Sequence, residues 1–334
     1  MTDLFAFAIG IARHSTAGDT IDCFFPAPER SPEWADAIRG HFSPGSDTVQ
    51  PRQVAAYLAD APEQAADGVR AFLETDRPLT VVRLDEDRPI SSTPEAYLKL
   101  HLLSHRLALP NTLNLVDIFA HLPNVAWTTE GAIAPEDLAT ALQRARADGR
   151  HLEVMSVDKF PKMTNYVVPP GVRIADASRI RLGAYLGDGT TVMHEGFVNF
   201  NAAAIGPNMV EGRISQGVIL GAHSDLGGSA STMGTLSGGG EITISIGEYC
   251  LIGANAGTGI PLGDKCTIEA GLYITAATPV TVLDEQGAEV KTVKARELAG
   301  DREMLFIRNG ATGRVECRTN RKAIELNEQL HKHN

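Results

Sequence analysis

The clearest chemical candidates in this 334-residue sequence are a glutamate and an arginine two positions apart. Glu211 and Arg213 lie in the segment Met-Val-Glu-Gly-Arg-Ile-Ser, residues 209–215. A carboxylate can take a proton from a nucleophile or attack an acyl group itself. A guanidinium binds a carboxylate through two parallel hydrogen bonds. The pair therefore favours chemistry on an acidic substrate, with a solvated corner glutamate and a plain Glu211–Arg213 ion pair as the alternatives.

These residues interrupt a repeat of period six that runs from residue 171 to 280. The period predicts a parallel β-helix, in which six residues form one flat side and three sides close a turn. Its phase slips at Ala204-Ile205, between Met233 and Ile244, and between Thr258 and Leu262, and such slips usually mark loops on a binding face. The in-phase aliphatic residues are Ile174, Ile180, Leu186, Val192, Val198, Ile214, Leu220, Leu226, Ile246, Ile252, Leu262, Ile268, Ile274 and Val280.

The repeat is flanked by regions without that period. Residues 1–165 predict an α/β region: 79–84 is a β-branched run typical of a strand, and a capping box at 92–95 predicts a helix to about Leu107. A second helix is predicted over Thr112–Ala120. We expect the β-helix to occupy 166–283 and a small capping segment to occupy 284–334, with short strands and a terminal helix at Lys322–His331.

Composition narrows the classes of partner. A net charge of −11 and a pI near 5.4 argue against nucleic acid. The sequence contains no run of 18 apolar residues, so we expect no membrane span. The first residues lack the basic region of a signal peptide. The four cysteines show no C-x-x-C spacing and predict reduced thiols in a cytoplasmic protein.

Four segments carry a resemblance to a known family. They are His194–Asn199, Met209–Ser215, Met233–Gly240 and Glu269–Tyr273. Together with Asp158–Pro161 and Val293–Leu298, they resemble the tetrahydrodipicolinate N-succinyltransferases in their actinobacterial form, over roughly residues 80–330. The resemblance implies a left-handed parallel β-helix of hexapeptides and a homotrimer. It also implies transfer of succinyl from succinyl-CoA to the amine of hydrated tetrahydrodipicolinate, in lysine and diaminopimelate biosynthesis.

The same resemblance implies roles for individual residues. Glu211 is the catalytic carboxylate, either as general base or as a nucleophile that forms an acyl anhydride. Arg213 binds a carboxylate of the succinyl group or of the acceptor. The loop Thr235–Gly240 belongs to the groove for the pantetheine arm of CoA. Further substrate and CoA contacts are expected at Ser215, Gly228, Ser231, Ala254, Glu269, Ala270, Lys294 and Arg308.

The resemblance also implies a metal site. Related enzymes hold a divalent cation, magnesium, on the trimer axis with a Glu and an Asp, which correspond here to Glu195 and Ser178. With serine in place of aspartate, half the site is lost, and Glu195 is alternatively a second acid/base group. His194 and His223 are the two histidines within the repeat, and we expect them to pack at corners; because many O-acetylating hexapeptide enzymes use a histidine as base, each is alternatively a candidate base. Zinc hydrases of this fold use three histidine ligands, which two histidines do not supply.

Two other functions compete with this interpretation. One is a different acyl-CoA-dependent N- or O-acyltransferase. The other is a non-catalytic trimeric solenoid that binds an acidic ligand. The clustering of Glu211, Arg213 and the glycine-rich loop at breaks in the repeat favours an enzyme.

Overall fold

The computed structural model describes residues 4–234 and 242–319 of the chain. The chain divides into two compact units. The first unit is Met1–Ala108 with Thr112–Val167, and the second is Leu109–Asn111 with Val168–Asn334. No helix in the described residues is long and apolar enough to cross a membrane.

The first unit combines strands and helices. Its larger sheet has the order β2-β1-β5-β4, with β3 also paired to β1, and its smaller sheet has the order β7-β6-β8; the paired strands in both are antiparallel. The elements are β1 (Ala6–His14), β2 (Thr20–Phe24), β3 (Glu29–Arg30), α1 (Ala35–His41), β4 (Gly45–Val49), α2 (Pro51–Asp60), β5 (Leu79–Leu84), α3 (Thr93–Ser104), α4 (Ile118–His121), β6 (Val125–Thr128), β7 (Gly131–Ile133), α5 (Pro135–Ala147) and β8 (Val154–Asp158).

The helix predicted over Thr112–Ala120 is largely absent. Only Ile118–His121 is helical, because the backbone of Asn114 is engaged elsewhere. Its N–H donates to Asp87 Oδ2 at 2.8 Å, and its carbonyl accepts from the buried Lys99 Nζ at 2.6 Å. A buried ammonium needs such partners, and they fix this segment as a loop.

The second unit is built from short parallel strands. They are β9 (Arg173–Ile174), β10 (Ala184–Leu186), β11 (Thr190–Val192), β12 (Phe197–Val198), β13 (Ala202–Ala204), β14 (Asn208–Val210), β15 (Arg213–Ile214), β16 (Ile219–Leu220), β17 (Asp225–Leu226), β18 (Ser231–Thr232), β19 (Ser245–Ile246), β20 (Leu251–Ile252), β21 (Gly257–Thr258), β22 (Thr267–Ile268) and β23 (Tyr273–Ile274).

Three sheets form the sides of the coil, and we number them by their strands. Sheet one contains β9, β11, β14, β17, β20 and β22; sheet two contains β12, β15, β18, β21 and β23; sheet three contains β10, β13, β16 and β19. Equivalent positions pair from coil to coil: Val192 faces Val210, and Val198 faces Ile214. The aliphatic residues of the repeat are buried, apart from the partly exposed Ile174 in the first coil. The period of six therefore predicted the parallel β-helix and its core correctly.

One predicted slip lies elsewhere in the structure. Val210 and Ile214 are four residues apart, although their partners Val192 and Val198 are six apart. Ala204 and Val210 keep the spacing of six, so the slip predicted at Ala204-Ile205 is wrong. Two residues are missing at the corner that contains Glu211, and this corner is tighter than those of the neighbouring coils.

The other two slips are confirmed. Thr258 pairs with Thr232, and Leu262 pairs with Ile246. Thr258 and Leu262 are four residues apart, whereas Thr232 and Ile246 in the preceding coil are fourteen apart. The longer spacing is an insertion between sheets two and three. The predicted loop Thr235–Gly240 falls in this insertion and lies outside the described residues.

Four further strands follow the last coil. They are β24 (Pro279–Leu283), β25 (Glu289–Lys294), β26 (Met304–Arg308) and β27 (Val315–Thr319). β26 pairs in parallel with β22 and sets Phe306 against Ile268, which covers the end of the aliphatic stack. The predicted helix Lys322–His331 lies outside the described residues.

Candidate active site

Most of the predicted site residues lie along one edge of the β-helix. This edge, which we call the carboxylate edge, is the column of corners between sheets one and two: residues 175–179, 193–196, 211–212, 227–230, 253–256 and 269–272. Backbone hydrogen bonds link its coils. Ser229 N donates to Glu211 O at 3.2 Å, and Gly271 N donates to Ala254 O at 2.8 Å. The repeat therefore stacks residues that are distant in sequence.

A groove of about 530 Å³ opens at this edge. It carries two guanidinium groups, a carboxylate, a histidine and two hydroxyl groups. Of the predicted residues it contains Glu195, Arg213 and Ser231. The lining residues are Arg179, His194, Glu195, Phe197, Gly212, Arg213, Ser229, Ala230 and Ser231.

Two carboxylates approach the same point beside this groove. A Cβ atom placed on Gly228 would lie 3.6 Å from Glu195 Oε2 and 3.9 Å from Glu211 Oε2. Ser229 Oγ donates to Glu195 Oε2 at 2.9 Å, which holds that carboxylate in place. The absence of a side chain at Gly228 leaves the space between the two acids open. Two carboxylates around one space form a site for a cationic group such as an ammonium.

Arg213 reaches the same groove from β15. Its Nε and Nη2 donate to Ser231 Oγ at 3.2 and 2.8 Å, so the guanidinium is directed along sheet two. In residues 4–234 and 242–319, no ion pair joins Arg213 to Glu211. Glu211 lies in the shortened corner before β15, so the two residues do not share a strand face.

Ser215 does not reach the groove. Its Oγ donates to the carbonyl of Thr232 at 2.6 Å, and its N–H donates to Thr232 Oγ1 at 3.2 Å. The corner between sheets two and three thus engages this hydroxyl in backbone contacts. A direct role of the Ser215 side chain in binding would require these contacts to break.

Five residues of the groove were missed by sequence reasoning. The first is Arg179, which donates from Nε to Gly196 O at 3.0 Å and from Nη2 to Glu195 O at 2.9 Å. The other four are Phe197, Gly212, Ser229 and Ala230. The period of six contained a signal that could have identified Arg179 and Phe197. In sheet two, the residue immediately before each inward aliphatic residue points outward, and residues 179, 197, 213 and 231 all occupy that position.

The residues predicted to contact CoA occupy the later coils. Ala254 and Ala270 are exposed on the carboxylate edge, and Glu269 Oε2 accepts from Arg308 N at 2.7 Å. Arg308 lines a second cavity of about 650 Å³ together with Tyr273 and other residues. Lys294 ends β25 and is exposed.

The donors around position 178 do not fit a magnesium ion. Ser178 donates from N and from Oγ to Asp176 Oδ1, at 2.9 and 2.6 Å. These hydrogen bonds, with the charge of Arg179 nearby, lower the pKa of Asp176. Among described residues no cluster of three or more His, Cys, Asp or Glu side chains could hold a metal. A hard cation prefers several free oxygen ligands. Here the oxygens of Ser178 and Asp176 are hydrogen-bonded to each other, and Asp176 lies near the guanidinium of Arg179.

The two histidines of the repeat lie in different places. His194 is exposed and lines the groove. His223 stacks on Tyr249, with ring centroids 4.8 Å apart and planes inclined by 14°. Packing between coils accounts for His223, and His194 remains available to the groove.

Sequence comparisons find relatives along the whole chain. A family model described as "Tetrahydrodipicolinate N-succinyltransferase middle" matches residues 122–162, and one described as "Hexapeptide repeat of succinyl-transferase" matches 243–276. A 2,3,4,5-tetrahydropyridine-2,6-dicarboxylate N-succinyltransferase of Pseudomonas paraeruginosa is 56% identical over 99% of both chains. The enzyme of that name from Vibrio cholerae is 51% identical over 99% of both chains.

A solved structure shares the fold. It comes from Campylobacter jejuni and is named as a 2,3,4,5-tetrahydropyridine-2-carboxylate N-succinyltransferase. Its TM-score is 0.87 at 30% identity, with 97% of this chain and 94% of that chain covered. The likeness supports the left-handed β-helix transferase fold for the second unit. On this identity and coverage, the chain belongs to the 2,3,4,5-tetrahydropyridine-2,6-dicarboxylate N-succinyltransferase family.

Proposed function

We propose that this chain transfers succinyl from succinyl-CoA to the amine of L-2-amino-6-oxopimelate, the hydrated open form of tetrahydrodipicolinate. The products are N-succinyl-2-amino-6-oxopimelate and CoA, in lysine and diaminopimelate biosynthesis. The observation that carries the proposal is 56% identity, over essentially the whole chain, to a 2,3,4,5-tetrahydropyridine-2,6-dicarboxylate N-succinyltransferase. The groove supports it independently, because it offers guanidinium groups for carboxylates and paired acids for an ammonium.

Glu211 is the catalytic carboxylate in this proposal. The acceptor amine is protonated at neutral pH and must lose a proton before it attacks the thioester carbonyl. Glu211 is half-buried beside the groove and faces Glu195 across Gly228, so an ammonium between them lies within reach of both. After attack, the C–S bond breaks, the sulfur leaves as CoA thiolate, and the proton held by Glu211 neutralises it. Nucleophilic attack by Glu211 on the thioester is the alternative route.

Arg213 and Ser231 bind and orient substrate. Two N–H groups of Arg213 are directed to Ser231 Oγ, and the remaining donors can bind a carboxylate in the groove. Gly228 provides close approach, and Ser215 supports the neighbouring corner, since its hydroxyl and its N–H are both engaged by Thr232. No step passes through a metal ion.

CoA follows the carboxylate edge toward the later coils. Ala254 and Ala270 are small and exposed, so they leave room for the pantetheine arm beside Glu269. Lys294 and Arg308 supply cations for the phosphates at the nucleotide end. We place CoA there because small residues and cations occur in the order that the cofactor requires.

The assembly that we propose is a cytoplasmic homotrimer. Flat sides of a β-helix pack around a threefold axis. Within each chain we propose three regions: an N-terminal α/β region at 1–165, the β-helix at 166–283 and a capping segment at 284–334. The buried thiols Cys23, Cys250, Cys266 and Cys317, which form no disulfide, support a reducing compartment. Light scattering should give three times 35.7 kDa, and a monomer would refute the trimer.

CoA release, followed with a thiol reagent, tests the activity. We expect release with succinyl-CoA that depends on the acceptor and yields the N-succinyl product by mass spectrometry. Faster release with another acyl-CoA or another amine would favour a different acyltransferase. Binding of an acidic ligand without any release would favour the non-catalytic module.

A further inference from the structure

Arg179 is held in a fixed orientation toward the groove. Of its five N–H groups, one on Nε and one on Nη2 donate to the carbonyls of Gly196 and Glu195, at 3.0 and 2.9 Å. Three N–H groups remain, including both on Nη1, for which the described part of the chain provides no acceptor. The residue is partly buried and lines the groove. Such a guanidinium loses little conformational freedom when it binds an anion.

Arg179 and Arg213 lie at the same register of the coil. The pairs Ile180–Val198 and Val198–Ile214 place Arg179, Phe197 and Arg213 in one outward column of sheet two. Two coils separate the arginines, so their Cα atoms are about 9.5 Å apart, at 4.7–4.9 Å per strand. The carboxyl carbons of an extended seven-carbon dicarboxylic acid are about 7–8 Å apart by ordinary bond lengths. The two guanidinium groups can therefore bind opposite ends of one such molecule.

The acids lie beside this column. Glu195 and Glu211 are each two residues before a member of it, Phe197 and Arg213, and both approach Gly228. Gly228 and Ser229 belong to the same coil as Ser231, which accepts from Arg213, so both acids lie near the Arg213 end of the column. Arg179 is the cation at the other end. A ligand with two carboxylates and an ammonium between them complements this pattern of charge.

We propose that Arg179 is a substrate-binding residue that holds one of the two carboxylates of the acceptor. The inference rests on the proposed function and extends it to a residue that sequence reasoning did not identify. Arg213 then receives the second carboxylate, and the acceptor ammonium lies between Glu195 and Glu211. Specificity for a dicarboxylate follows from the spacing of the two arginines.

Three acceptors and four proteins test this assignment. The acceptors are L-2-aminopimelate, which has both carboxylates; L-2-aminoheptanoate, which lacks the distal one; and 6-aminohexanoate, which lacks the one beside the amine. The proteins are wild type, Arg179→Met, Arg179→Lys and the control Arg173→Met, which alters an exposed arginine outside the groove. CoA release gives kcat and KM for each acceptor, and circular dichroism checks folding.

We expect Arg179→Met to raise KM for the dicarboxylate roughly 10- to 100-fold, the value of a lost charge-assisted hydrogen bond. KM for one of the two truncated acceptors should rise by the same factor. KM for the other truncated acceptor and KM for succinyl-CoA should not change. Arg179→Lys should recover part of the loss, and Arg173→Met should match wild type. Equal losses for all three acceptors, or none, would overturn the assignment, since a residue that only supports the corner cannot distinguish carboxylates. If wild type releases no CoA with any acceptor, including the proposed natural one, the proposed function fails as well.

Discussion

The open space at Gly228 can be filled with a single methyl group. In Gly228→Ala the new Cβ lies 3.6 and 3.9 Å from the carboxylate oxygens of Glu195 and Glu211, which is ordinary van der Waals contact. Gly228 is not in the left-handed region, so alanine fits the backbone without strain. Alanine also restricts the unfolded chain, which stabilises a protein by about 0.4–1 kcal/mol. We therefore expect the variant to fold and to melt at or slightly above the wild-type temperature.

The methyl group should nevertheless reduce activity. It occupies the space through which both carboxylates approach the acceptor amine, and an extra methyl in a filled space typically costs about 1–3 kcal/mol. If that cost falls on the transition state, kcat/KM drops roughly 5- to 150-fold. Stopped-time CoA release at several acceptor concentrations measures it.

Two other glycines provide matched comparisons. Gly310→Ala adds a methyl with nothing within 4 Å, so it should leave activity unchanged and show the same small stabilisation from the restricted unfolded chain. In Gly212→Ala the Cβ would lie 2.4 Å from Ala230 O, so this variant should lose stability. A Gly228→Ala protein that is stable and fully active would refute the view that substrate occupies the space between Glu195 and Glu211.

Three further perturbations have defined outcomes. Arg213→Lys keeps the charge but loses the planar fork, so KM for the acceptor should rise while the preference for succinyl-CoA over acetyl-CoA persists; a reduced preference would assign Arg213 to the succinyl carboxylate. EDTA should leave the rate nearly unchanged, because the donors at Ser178 are paired with Asp176; abolition by EDTA and rescue by magnesium would contradict this. Burial raises the pKa of Glu29 from 4.5 to about 7, so between these pH values the folded state keeps a proton that the unfolded state loses. The resulting contribution to the free energy of unfolding is complete below pH 4.5 and is lost as the pH rises through 7. Glu29→Gln should therefore melt higher than wild type at pH 8 but not at pH 4.5, and an equal difference at both, or a shift in the exposed control Glu33→Gln, would count against this explanation.

Sequence period predicted the β-helix because each coil repeats one requirement, an aliphatic residue that stacks on the coils above and below. Glu211 and Arg213 were found because they interrupt that period. The position of the slip beside them was missed, because Ala204 is in phase but too small to be counted as an aliphatic core residue. Pairing of Val210 with Val192 and of Ile214 with Val198 was needed to locate it.

Other features depend on contacts that one-dimensional patterns do not contain. The orientation of Arg179 is set by carbonyl groups of the next coil, and Ser215 is turned away by Thr232. The loop at Asn114 is fixed by Lys99 and Asp87, which lie fifteen and twenty-seven residues away in sequence. Local propensity favoured a helix there, and tertiary hydrogen bonds outweigh it.

The central claim is that Glu211 handles the proton of the acceptor amine. Glu211→Gln keeps the shape of the side chain and removes its basicity, so kcat should fall about 10²- to 10⁴-fold with little change in KM for succinyl-CoA. Glu195→Gln is the matched control, since that carboxylate faces the same space and accepts from Ser229. The most direct measurement is single-turnover CoA release by these two variants and wild type at saturating substrates. The account predicts a far larger loss for Glu211→Gln than for Glu195→Gln, and a near wild-type rate for Glu211→Gln would contradict it.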